Sequence, residues 1–178
     1  SMNVLVWLKR DLRLHDHPAL TLAAGLGPVL PVYVVEPELW AQPDASARQW
    51  EGVAEGLADL REALAGVGAP LVVLVGDAVE VLEALCRRHG ITRIVSHEET
   101  GTLWTYGRDR RVAAWARSAG VAWSEVPQSG VVRRLPTRDI WAASRDGFMA
   151  LPVLPVPALR AVQGVEPGLI PTARALKL

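Results

Sequence analysis

Five short apolar runs, separated by longer amphipathic stretches, set the pattern of this chain. The runs are Asn3–Leu8, Val29–Val35, Leu71–Val75, Arg93–Ser96 and Ala122–Val126. Most are rich in Val and lack an apolar/polar alternation, as strands buried on both faces do. The stretches between them are long enough for crossover helices, so the runs predict a parallel sheet.

Helix signals fall in those intervening stretches. Asp16 is placed to cap a first helix, with Pro18 in its first turn. Residues 46–66 carry Trp50, Val53, Leu57, Leu60 and Leu64 at spacings of three and four, which makes one apolar stripe. Each such side chain contributes roughly 1.5–3 kcal/mol once buried. Asp77 and Glu80 form a D-x-x-E capping pattern ahead of Val81, Leu82 and Leu85. Gly90 and Gly120 close the last two helices, each shortly before a strand. The fold class expected is α/β: a Rossmann-like, doubly wound five-stranded parallel sheet of strand order 3-2-1-4-5.

After about residue 127 the rhythm stops. A short helix is expected around Thr137–Ser144. From Arg145 onward come Pro152, Pro155, Pro157, Pro167 and Pro171 without clear periodicity, which reads as an extended linker. The organisation expected is an α/β domain over residues 1–130, then a short helix and Pro-rich linker over 131–178. Ser1 before Met2 has the look of an expression scar, so the chain reads as cut from something longer.

Composition narrows the function classes. Half the residues are apolar, enough for a real core, and the formal net charge is zero. Zero charge argues against a free-standing nucleic-acid binder held by phosphate contacts. The charge is uneven, however: residues 36–83 hold ten acids and two bases, whereas residues 104–145 hold eight Arg and three acids. The lone cysteine, Cys86, sits at helical spacing from Val79 and Leu82 and reads as a core thiol. No apolar run approaches the roughly 20 residues of a membrane span. No signal-peptide pattern opens the chain, and a cytoplasmic location is expected.

Chemistry concentrates in two loops. Ligands of a doubly wound sheet bind outside the carboxyl ends of the strands, where the strand order reverses, here between strands one and four. The loop after strand one carries Lys9, Arg10, Asp11 and Arg13; the loop after strand four begins His97-Glu98-Glu99 and leads into Trp104 and Tyr106. Three cations suit an anionic or polar aromatic ligand, and Arg adds a planar stacking face. The alternative is that Asp11 pairs with neighbouring Arg residues and only fixes the loop, with no ligand involved. A metal reading of His97, Glu98 and Glu99 is weak, because adjacent side chains do not converge on one ion. A carboxylate there is better suited to a heterocyclic ring or a loop cation. Gly101 suits a close ligand approach or a tight turn. His89, at a helix end, is placed to offset the helix dipole. Glycine-rich dinucleotide and P-loop signatures are absent, as is G-x-S-x-G.

The opening is similar to that of the DNA photolyase and cryptochrome family. Trp7, Arg10-Asp11-Leu12-Arg13 and Asp16 match it, and Ala47-Arg48 resembles the family's small-Arg pair. Glu98-Glu99, Trp104-Thr105-Tyr106 and Arg108-Asp109 resemble its segment after strand four. Leu8 and Lys9 depart from the aromatic-Arg pair common in the family. The resemblance implies an antenna-chromophore-binding N-terminal domain, the chromophore being a folate, a deazaflavin, FMN or a lumazine. It further implies a C-terminal helical domain, lying outside this chain, that would bind FAD and damaged DNA and perform light-driven repair of pyrimidine dimers. The candidate binding set is Lys9, Arg10, Asp11, Arg13, Glu36, Arg48, His97, Glu98, Glu99 and Trp104, with no catalytic residue in the chain itself. A light-sensing cryptochrome module is the alternative, and a stand-alone nucleotide-binding α/β protein a further one.

Overall fold

In the computed structural model, which describes residues 2–128 and 154–178, the five runs form one parallel sheet. Its strands are β1 (Val4–Leu8), β2 (Val29–Val35), β3 (Val72–Val75), β4 (Arg93–His97) and β5 (Ala122–Val126). Their order is β3-β2-β1-β4-β5, the order expected from the sequence, with the reversal between β1 and β4.

Five helices connect the strands: α1 (Pro18–Ala24), α2 (Pro37–Trp40), α3 (Ala47–Gly66), α4 (Ala78–His89) and α5 (Leu103–Ala119). Strand periodicity divides the core in two. Val4, Val6 and Leu8 of β1 face α1 and α3, packing with Leu20, Trp50, Leu57 and Leu64. Leu5 and Trp7 face the other way, toward Leu82, Cys86 and Val112 of α4 and α5. Both faces of the sheet are therefore covered, which is why its central strands carry apolar residues at every position.

Pro31 sits inside a central strand, opposite Val6. It is tolerated because β3 pairs with β2 only from Val32 onward. The nitrogen of Val29, two residues earlier and so on the same side, donates instead to Arg160 O at 2.7 Å.

That contact belongs to a strap formed by residues 154–178. The strap is extended and bonds back to the fold repeatedly. Leu159 N donates to Val67 O at 2.8 Å, and Val73 N of the edge strand β3 donates to Pro167 O at 2.8 Å. Trp50 Nε1 donates to Pro171 O at 2.8 Å. Leu159 and Val162 are buried, one in each half of the core. The helix expected at Thr137–Ser144 lies outside the described residues.

Capping follows the sequence, with one exception. Asp77 accepts from Glu80 N, and Gly90 and Gly120 end α4 and α5 in the left-handed conformation. At α1, however, the cap is His17, not Asp16. Asp16 is turned into the left-handed region at φ 51, and its carboxylate accepts from Leu154 N of the strap. His17 Nδ1 then takes the Leu20 amide at 3.0 Å.

Candidate functional site

The two polar loops meet above the carboxyl ends of β1 and β4. Lys9 Nζ lies 3.4 Å from Glu99 Oε1, and Arg10 Nε lies 3.8 Å from Glu99 Oε2. The hub between them is Arg108, on the buried stripe of α5 with Thr105 and Val112. Its guanidinium reaches Glu36 at 3.4 Å, Glu99 at 3.1 Å and Asp109 at 3.1 Å. Lys9 also lies 3.4 Å from Asp109. Both cations stand over the ring of buried Trp7, Lys9 Nζ at 4.3 Å and the Arg108 Cζ at 4.8 Å from its centroid. The ring's negative face offsets part of the cost of burying them.

Beneath this layer lies a second network. Asp11 Oδ2 is 2.5 Å from His17 Nε2 and 3.0 Å from His97 Nδ1, and Asp11 Oδ1 accepts from Lys9 N at 3.0 Å. The far nitrogen of each ring accepts a backbone amide: Leu20 N into His17 Nδ1, Ala19 N into His97 Nε2 at 3.1 Å. The amides therefore leave the ring proton of each histidine to the nitrogen that faces Asp11. Burial pushes the Asp11 carboxyl up, but the hydrogen bonds from His17 and His97 outweigh it and hold the group well below the usual carboxylate range. Burial likewise lowers His17, against the pull of Asp11.

Asp11, His17 and His97 are close enough together to suggest a metal site. The hydrogen bonding argues otherwise. An ion would need lone pairs on the two nitrogens that now face Asp11. Their protons would have to move to nitrogens already facing amide N–H groups. The trio is a structural clamp that ties the first loop to α1 and β4.

Between the loops and α3 opens a cleft of about 830 Å³. Tyr33, Trp40 and Trp104 supply aromatic wall, and Lys9, Arg10 and Asp44 supply charge. A chamber of about 30 Å³ adjoins it, bordered by Trp7, Glu36, Glu99 and Arg108, and shares Lys9, Arg10, Tyr33 and Leu39 with the cleft.

Of the ten candidates, Lys9, Arg10, Glu36, Glu99 and Trp104 border these spaces. Asp11 and His97 lie in the clamp beneath. Arg13 turns away, binding the Asp16 carbonyl at 2.9 Å. Arg48 is exposed on the first turn of α3, beside Gln49, which does line the cleft. Glu98 is exposed at the end of β4. His97, Glu98 and Glu99 thus point to core, solvent and cleft. Gly101 serves a tight turn: a Cβ there would collide with the Thr105 hydroxyl. That hydroxyl accepts from Thr102 N at 2.8 Å in the capping box of α5.

Sequence reasoning did not place Tyr33, Trp40 or Arg108 among the site residues. Arg108 was legible in principle, because it repeats at three and four residues from Thr105 and Val112 on a face that must be buried.

These features define a doubly wound α/β domain with its cleft at the topological switch point. A family model for DNA photolyase matches residues 4–139, and the chain belongs to that family. It is 36% identical over 96 residues to the deoxyribodipyrimidine photo-lyase of Escherichia coli K12, covering 51% of this chain and 20% of that protein. It is 30% identical over 116 residues to cryptochrome-2 of Gallus gallus, covering 65% of this chain and 20% of that protein. The chain thus spans about a fifth of the length of these relatives. Its fold is that of a class III photolyase from Agrobacterium tumefaciens, with TM-score 0.70 at 24% identity, covering 94% of this chain and 36% of the other. It is also that of an archaeal photolyase from Sulfolobus tokodaii solved with two FAD molecules, with TM-score 0.74 at 18% identity, covering 99% of this chain and 41% of the other.

Proposed function

We propose that this chain binds an antenna chromophore in the cleft between its two polar loops and α3, as the N-terminal domain of a light-driven DNA photolyase. The observation that carries this is the cleft itself. It lies at the switch point, has room for a tricyclic ring, and combines Tyr33, Trp40 and Trp104 with the cation Arg10 at its mouth. The chromophore is a folate, a deazaflavin, FMN or a lumazine. A group of this kind, when bound, absorbs light and passes excitation to FAD. The FAD, the dimer-containing DNA and the repair chemistry belong to a C-terminal helical domain of the parent protein, so the domain described here performs no bond chemistry itself. The Sulfolobus tokodaii photolyase, with its two FAD molecules and an implied novel light-harvesting cofactor, supports a second chromophore in this fold.

Within this chain, the clamp of Asp11, His17 and His97 fixes the backbone of the first loop. Lys9 and Arg108, neutralised by carboxylates, form a rigid floor. Arg10 stays free to meet an anionic tail: its side chain is 67% exposed and its one carboxylate contact is long, at 3.8 Å.

The test is equilibrium dialysis of the chain against one chromophore of each of the four classes. One of them should be retained. Arg10→Ala should weaken retention about fivefold or more with an unchanged melting temperature. Glu99→Ala is a poorer probe, since Glu99 is buried against Lys9 and Arg108 and its loss costs stability. Retention of no chromophore, or wild-type affinity in Arg10→Ala, overturns the assignment. A cryptochrome module is the second reading, favoured by cryptochrome relatives of similar identity. Repair of pyrimidine dimers by the parent protein under blue light decides between them.

A further inference from the structure

The wall of the small chamber is electrically unbalanced. Lys9 and Arg108 are buried cations, and they face three carboxylates: Glu36, Glu99 and Asp109. Arg10 adds little, being largely in solvent. Glu99 and Asp109 are engaged by both cations. Glu36 is not. Its Oε2 meets Arg108 at 3.4 Å, but its Oε1 is buried and has no partner, although the residue is only 6% exposed. Leaving a buried carboxylate oxygen without a partner forfeits its hydration with nothing in return, so its retention beside a cavity asks for a ligand group.

We propose that Glu36 reads the chromophore, its free oxygen accepting a hydrogen bond from an imide-type N–H on the ring edge that enters the chamber. The proposal rests on the cleft being a chromophore site. It narrows the ligand to planar heterocycles that present a donor at that edge, and it makes binding proton-linked. The chamber, at about 30 Å³, admits a polar edge but not a ring. An ionised Glu36 accepts this bond; a protonated one competes for it with its own hydrogen. The groups around Glu36 are Lys9 of the first loop, Tyr33 of β2, Glu99 of the second loop, and Arg108 and Asp109 of α5. Glu38 and Asp77 border a side bay with it. Acids outnumber bases in this set, and burial pushes Glu36 up to about 7, against the pull of Arg108.

Riboflavin tests this directly, because it has an imide N–H at N3 and no group that titrates between pH 6 and 8. Binding is followed by quenching of flavin fluorescence. The wild-type chain should bind riboflavin at least tenfold more tightly than N3-methylriboflavin at pH 8. Its riboflavin affinity should rise about tenfold from pH 6 to pH 8 as Glu36 ionises. Glu36→Gln should flatten that pH profile and narrow the preference over the methylated ring. Equal binding of the two rings, or a flat wild-type profile, overturns the proposal. So does failure of riboflavin to bind while another chromophore is retained in dialysis, a result that leaves the site assignment standing. If Glu36→Gln does not fold, the two rings on the native chain decide the matter alone.

Discussion

Replacing Asp11 with Asn changes one atom and should destabilise the domain severely. The carboxylate accepts from His17 Nε2 at 2.5 Å and from Lys9 N at 3.0 Å, and His97 Nδ1 lies 3.0 Å from its Oδ2. An Asn oxygen can keep the Lys9 amide. Its NH₂ would then face two ring N–H groups. Neither ring can turn its proton away, because the far nitrogens hold the Ala19 and Leu20 amides. His17 loses its acceptor, at roughly 1–3 kcal/mol, and the charge assistance and the proximity of the carboxylate to His97 are lost as well. The sum is about 2–4 kcal/mol, a large part of the roughly 5–15 kcal/mol that holds a domain together. Urea unfolding at pH 7.5, followed by tryptophan fluorescence, measures it. The pH dependence gives a second readout. Asp11 is depressed in the folded state, so its contribution is present above the unfolded value of 3.8 and fades as pH falls below it. His17 is depressed from 6.5, so the unfolded chain takes up that proton first and the His17 contribution already fades as pH falls below 6.5. Asp11→Asn should make the acid slope below pH 4 shallower. A loss under 1 kcal/mol at pH 7.5, with the acid slope intact, would refute the clamp.

Three further outcomes are expected. Glu36 is raised from 4.5 to about 7 by burial, so its own contribution to stability is lost as pH rises from 4.5 to 7, opposite in sign to that of His17. Glu36→Gln should stabilise the ligand-free chain by about 1–3 kcal/mol at pH 8 and by progressively less toward pH 5, read from urea midpoints. Gly101→Ala should drive the Thr105 hydroxyl out of its capping box and cost about 1–2 kcal/mol, seen as a lower melting temperature. Cys86 is buried, and burial pushes its thiol up to about 12; it should ignore Ellman's reagent in the native state and react stoichiometrically in urea.

The sheet was legible in the sequence because its signal is made of many weak choices that agree. Val-rich runs, long crossovers and αL glycines at helix ends all report one architecture. Single-residue roles were harder to read. Asp16 has the better capping chemistry of the pair, yet the strap engages it through Leu154, and His17 supplies the lone pair that faces Leu20. Local propensity does not register a partner that lies 138 residues away. The meeting of Lys9 and Arg10 with Glu99 followed from topology alone. Tyr33 and Trp40 did not, since an aromatic residue inside a strand or at a helix end looks the same in sequence whether it fills a core or walls a cleft. The strap escaped the periodicity test for a simple reason. It docks through backbone groups and through scattered side chains such as Leu159 and Val162, which set up no helical or strand period.

The strap also has a bearing on solubility. Among the described residues, the amides of Val29 and Val73 donate to the carbonyls of Arg160 and Pro167. Trimming the chain before residue 154 would bare that border of the sheet as a ladder awaiting another strand. Copies so shortened should stack through it and aggregate, even with every residue around the cleft intact.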